Sequence, residues 1–247
     1  VNDQTDEVRG LAHPVESCDS YRPHPPLSFR VVFRMPLVSR HHVRFARLRF
    51  PFAVHVQALH GTASLRDANA RREVRPGDPF VVHAFAHFDC DLPGTWQHPC
   101  AIVLTAVPDS ECPRLAGKPG DRPWSRRFAG LVFSRPDTDW NVERLAAQWQ
   151  VPARQVRARL FAEGEALHPL LREQRAAHAL HALAAAGPVS SLDVLAAHAG
   201  LRSGSALARS WQNWFGIDAA RLVEDCRAGN RTTVPAATWP GLVPTAA

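Results

Sequence analysis

The chain changes its hydrophobic rhythm twice. From about residue 28 to 107, apolar positions recur every second residue. In Phe52-Ala53-Val54-His55-Val56-Gln57-Ala58-Leu59, one face carries Phe52, Val54, Val56 and Ala58, the alternation of a half-buried strand. Phe80 to Phe85 and Ala101 to Val107 read as further strands, with turns at Gly61, Pro76-Gly77-Asp78 and Pro93-Gly94. From Asp139 to about Ala228 the period becomes helical. Val142, Leu145, Ala146 and Trp149 fall at i, i+3, i+4 and i+7, and Asp139 or Asn141 can cap their helix. Further helices are expected at about 153–163, 167–185, 191–199, 204–215 and 218–227. Between the two patterns lie Pro108, Pro113, Pro119, Pro123 and Pro136. Proline fixes its own dihedral and lacks an N–H donor, so 108–138 reads as a linker without long helices, in which Arg126 to Phe133 is the candidate ordered stretch. The expected fold class is α+β with two domains. An N-terminal small antiparallel β-barrel (28–107) precedes an all-α domain (139–228). Residues 1–27 read as a flexible arm and 229–247 as a disordered tail.

Composition narrows the class. The 247 residues are 45% hydrophobic and 21% charged, as in a soluble globular protein. No run of 18 apolar residues predicts a membrane span, and the acidic, polar first ten residues are not a secretory signal. Five widely spaced cysteines, none in a C-x-x-C pair, suit a reducing, cytoplasmic setting. The net charge is +6 and Lys118 is the single lysine, so 28 of 29 cations are arginine. Arginine's planar fork suits phosphates and base edges. The charge does not mark the helical half, however: residues 139–228 hold ten arginines against nine acids. No Gly-rich phosphate loop, G-x-S-x-G or H-E-x-x-H is present, and no enzymatic activity and no cofactor are expected.

The helical half contains a repeat. Leu145-Ala146-Ala147-Gln148-Trp149-Gln150-Val151 parallels Leu195-Ala196-Ala197-His198-Ala199-Gly200-Leu201, fifty residues on. Each segment is an amphipathic helix followed by a turn and a second helix, which buries Val156 and Leu160 in one unit and Leu207 and Trp211 in the other. A small residue (Ala146, Ala196) lets the second helix cross closely, as a helix-turn-helix requires. Two such units joined by a long helix resemble the AraC/XylS family of transcription regulators. Phe161-Ala162-Glu163-Gly164-Glu165-Ala166-Leu167 is similar to the family's end of the first reading helix. Arg175, Ala179 and Leu183 match its connecting helix. Gly200-Leu201-Arg202-Ser203-Gly204-Ser205-Ala206-Leu207-Ala208-Arg209-Ser210-Trp211 resembles its signature. The resemblance implies a transcription regulator, an activator by the commoner family behaviour, with double-stranded DNA and RNA polymerase as partners. The reading helices would enter successive major-groove segments about one turn, ~34 Å, apart.

On the first reading helix, Arg154, Arg157 and Ala158 point outward with Gln155 at the flank, and arginine can grip guanine O6 and N7 bidentately. Arg159 has two readings, a phosphate contact or an i+4 pair with Glu163. The second helix offers Ser203, Gly204, Ser205, Ala206 and Arg209, of which only Arg209 has reach. Base specificity is therefore expected mainly from the first unit. Trp149, Trp211, Trp214 and Phe215 read as core.

In the first half, Gly61 to Asp78 looks like the cupin-type barrel of the family's sensor domains. The resemblance implies a small-molecule effector, a homodimer, or both. Effector-lining candidates are His55, His83, Phe85, His87 and Trp96. His83, His87, Cys90, His98 and Cys100 suggest a zinc site by residue type but fit no ligand spacing, so no metal is assigned. A metal-binding cupin-type enzyme or sensor, and a module governed by a protein partner, are the alternative readings.

Overall fold

A computed structural model of the chain describes residues 36–67, 70–109, 122–185 and 191–232. The expected arm at 1–27 and most of the expected tail lie outside these residues.

Among the described residues eight strands come first: β1 (Leu37–Ser39), β2 (His42–Leu48), β3 (Ala53–His60), β4 (Ala63–Arg66), β5 (Arg71–Val74), β6 (Phe80–Val82), β7 (Phe88–Pro93) and β8 (Cys100–Val107). They form two antiparallel four-stranded sheets, ordered β1-β8-β3-β6 and β2-β7-β4-β5. Alternation sets the inward faces. Val54, Val56 and Ala58 of β3 are buried while His55 and Gln57 are half-buried. Where β2 bulges between Phe45 and Leu48, Arg47 takes a left-handed conformation. Asp89 secures the bulge by accepting from the Arg47 N–H (2.9 Å) and from Arg44 (2.7 Å). The strand expected over Phe80 to Phe85 stops at Val82, because Phe85 turns to φ 61° and its N–H donates to the Phe50 carbonyl (2.8 Å).

Seven helices follow among the described residues: α1 (Pro123–Ser134), α2 (Val142–Trp149), α3 (Ala153–Ala162), α4 (Leu167–Ala185), α5 (Leu192–His198), α6 (Gly204–Phe215) and α7 (Ala219–Thr232). Two of them correct the sequence reading. α1 lies inside the stretch read as a linker without long helices. Pro123 occupies its first turn, where no N–H is needed, and no further proline occurs before Pro136. α7 runs to Thr232, past the expected start of the tail at 229. Gly229 allows this, because a Cβ there would lie 2.6 Å from Val38 Cγ1.

The apolar core forms two clusters. Phe128, Val132, Trp140, Leu145, Val156 and Leu160 unite α1, α2 and α3 with the start of α4. The other cluster is continuous from the sheets through the second half of α4 to α5, α6 and α7. β1 packs on α7 and β2 on α6. The boundary between sheet and helix is thus not a boundary between cores.

Candidate nucleic-acid interface

The two repeat units fold alike. Asn141 caps α2 by accepting from the Arg144 N–H, and Ser191 caps α5 by accepting from the Val194 N–H. Each helix ends at a left-handed residue, Gln150 (φ 56°) or Gly200 (φ 66°). The next N–H reaches back to the matching alanine carbonyl, Val151 to Ala146 (3.0 Å) and Leu201 to Ala196 (2.8 Å). Gly200 is further confined, since a Cβ would sit 2.0 Å from the Pro136 carbonyl oxygen. Arg175 of α4 grips the same loop, donating to the carbonyls of Pro136 (2.8 Å) and Thr138 (2.9 Å). Trp211 of α6 donates to the Ala176 carbonyl (3.0 Å), fixing the second unit on α4.

On α3, Val156 and Leu160 are buried, and Arg154, Arg157, Ala158 and Phe161 are exposed at i, i+3, i+4 and i+7. They form one outward stripe. Arg154 makes no ion pair among the described residues. Arg157 reaches Glu143 at 3.2 Å in a solvent-exposed pair of little net strength, so a stronger anion can displace it. Gln155 is half-buried at the flank. Arg159 leaves the stripe. Its guanidinium lies 5.9 Å from the Trp124 ring centre, and the suggested pair with Glu163 is absent. Glu163 instead accepts from the N–H groups of Trp124 (3.1 Å) and Ser125 (2.7 Å), capping α1 from another helix.

On α6 the outward stripe is narrower. Ser205 and Arg209 are exposed and Ala206 is half-buried. Ser203 caps the helix by accepting from the Ala206 N–H (3.2 Å). Gly204, expected to face outward, is buried. Its N–H donates to Asp193 Oδ1 (2.6 Å), and a Cβ would lie 2.8 Å from that of Leu192. Glycine is needed there so that α6 can begin against α5. β2 lies on another face of α6 and leaves Ser205 and Arg209 open.

The effector candidates scatter. His83 lines a small pocket with Leu65, Arg66, Arg72, Phe80 and Phe88, with space of about 30 Å³, enough for water-sized groups. His55 is half-buried on β3. Trp96 is 72% exposed, with the Arg40 guanidinium 5.3 Å from its ring. Phe85 and His87 face the helices. No three His, Cys, Asp or Glu side chains converge among the described residues. Burial pushes the Cys100 thiol up to about 11 and the Cys90 thiol higher still, so both stay protonated.

Sequence reading missed a clasp between sheet and helices. Arg49, 2% exposed, bonds Glu173 of α4 (2.9 Å from Nε) and Glu165 before α4, with the Phe85 ring 4.3 Å from its guanidinium. His87 Nε2 lies 3.3 Å from Glu173, and Gln174 donates to the Arg49 carbonyl (3.3 Å). Burial alone would drive the Glu173 carboxyl up. His87 and Arg49 outweigh it and hold the group below the ordinary value. The Glu173 carboxylate thus stays ionised at neutral pH. Nothing local announces it, because Arg49 meets its partners 116 and 124 residues away.

No helix among the described residues is long and apolar enough to cross a membrane. No family model matches the chain, and no curated protein does. Solved structures of ToxT from Vibrio cholerae do match. One superposes with a TM-score of 0.52 at 9% identity, covering 78% of this chain and 97% of ToxT. A second, from O395, gives 0.53 at 10% identity over 78% and 97%. ToxT bound to an unsaturated fatty acid gives 0.50 at 9% identity over 77% and 93%. At such identities the likeness is one of fold, antiparallel sheets followed by helices.

Proposed function

We propose that the chain is a sequence-specific DNA-binding transcription regulator of the AraC/XylS type, acting as an activator through RNA polymerase. One observation carries the reading. Two helix-turn-helix units with the same cap, the same left-handed turn and the same return bond each present an uncovered outward stripe on their second helix. Arg154 and Arg157 supply base or phosphate contacts in the first unit, flanked by Ala158 and Gln155. Arg209 grips the backbone in the second, with Ser203, Ser205 and Ala206 beside it. The DNA-binding part takes in α1, because α1 belongs to the same apolar cluster as α2 and α3. The sheets form the regulatory part, and two copies can associate on DNA. The fold likeness to ToxT, which has been determined with an unsaturated fatty acid bound, supports a small-molecule ligand. The pocket beside His83 must widen to admit anything larger than a few atoms.

Selection from a random double-stranded library tests this. The wild-type protein is expected to enrich one motif. Arg154→Ala relaxes preference at one or two positions, and Arg209→Ala weakens all sequences alike. Failure of the wild type to enrich any motif overturns the reading.

A further inference from the structure

We propose that Phe161 reads DNA through an apolar contact with the 5-methyl group of one thymine. The inference rests on α3 being a reading helix and adds a specificity-determining residue to it. Phe161 is 84% exposed, the most exposed large apolar side chain among the described residues. A lone exposed apolar side chain is ordinary at a protein surface, so exposure alone does not name what covers it. Its place on the helix says what. Phe161 is seven residues beyond Arg154 and four beyond Arg157, so it stands on the same outward stripe, opposite buried Val156 and Leu160. It makes no ring or cation contact among the described residues, unlike Arg159, which lies over Trp124.

The partner must therefore match two free or weakly held guanidinium groups and one phenyl ring along a single helical stripe. A major-groove edge does so. It presents acceptors to arginine, and thymine alone of the four standard bases adds a methyl group there. Ala158, between these residues, is small enough to let the helix settle close to the bases. An apolar protein surface would suit Phe161 but leave Arg154 and Arg157 without anions.

The test uses the full chain and its selected motif. Each thymine is replaced in turn by deoxyuridine, which removes only the methyl group. Wild-type affinity is expected to fall about fourfold at one position, the size of one buried methyl-sized group. Phe161→Ala is expected to bind the thymine site more weakly by a similar factor and to be indifferent to deoxyuridine there. Its melting temperature should be unchanged, since the ring packs on nothing. The proposal is overturned if the selected motif tolerates deoxyuridine everywhere, or if Phe161→Ala keeps the full methyl preference. In either case the DNA-binding reading survives. If the wild type selects no motif, both fall.

Discussion

Arg49 is held between two carboxylates and beneath an aromatic ring, almost out of water. A buried ion pair contributes little net stability relative to a well-packed apolar pair, yet losing one partner strands the other's charge. Arg49→Met leaves Glu165 and Glu173 without their cation and is expected to cost about 3–5 kcal/mol in urea unfolding. Adding Glu173→Leu should return part of that loss, because the stranded charge goes with it. The pH response follows from Glu173. Its carboxyl sits below the ordinary 4.5 when folded, so its stabilisation is present above 4.5 and is lost as pH falls through the lowered value. Urea midpoints compared at pH 7 and below 4.5 should show an acid loss that Glu173→Gln reduces. At this scale the sequence was legible only for residues whose partners are near in the chain. Arg154 and Arg157 emerge from the helical wheel of Val156 and Leu160, and Phe161 lay on that same wheel but was absorbed into a motif match. Arg49 and Glu163 act on groups far along the chain, which no window sees.

The helices themselves were nearly all legible, since their caps and periods are written locally. Asn141, one of the two expected candidates, caps α2, Ser191 caps α5, and the fifty-residue offset of the repeat survives into the two left-handed turns. α1 was seen only as an ordered stretch over Arg126 to Phe133, because prolines on both sides suggested a broken segment. Its own spacing, Trp124, Phe128 and Val132, is helical, and Pro123 marks a start. Gly204 was misplaced because a wheel records direction but not the neighbour that fills it. Glycines give a test of the element scale. Gly200 and Gly164 are both left-handed, at φ 66° and 76°, but only Gly200 has a backbone oxygen where a Cβ would go. Gly164→Ala should cost only the dihedral penalty, about 1–2 kcal/mol. Gly200→Ala should cost clearly more, because the turn must part from the Pro136 carbonyl. Thermal melts of the two variants give the ordering directly.

At the scale of the whole molecule, α4 sets the spacing of the two units. Its 19 residues span roughly 28 Å, a little short of one turn of B-DNA. If α3 and α6 read DNA as proposed, the elements they contact should tolerate no change in separation. Inserting five base pairs between them in the selected site is expected to remove the contribution of the second unit, leaving the affinity of a half-site. With three arginines on the two stripes, log affinity should fall with log salt at a slope of about −2 to −3, measured by fluorescence anisotropy. The sheets do not merely precede this reader. Asp225 of α7 accepts from the Arg40 N–H (2.9 Å) and pairs with His41 (2.7 Å), while Val38 donates to Cys226 (3.4 Å). The clasp at Arg49 holds the beginning of α4, and these bonds hold the final helix. The sheets and the helices are therefore joined at α4 and at α7. On the proposed reading, a molecule that binds the sheets more tightly when either anchor opens would also change the affinity for DNA. Reciprocity then requires DNA to change the affinity for that molecule by the same factor.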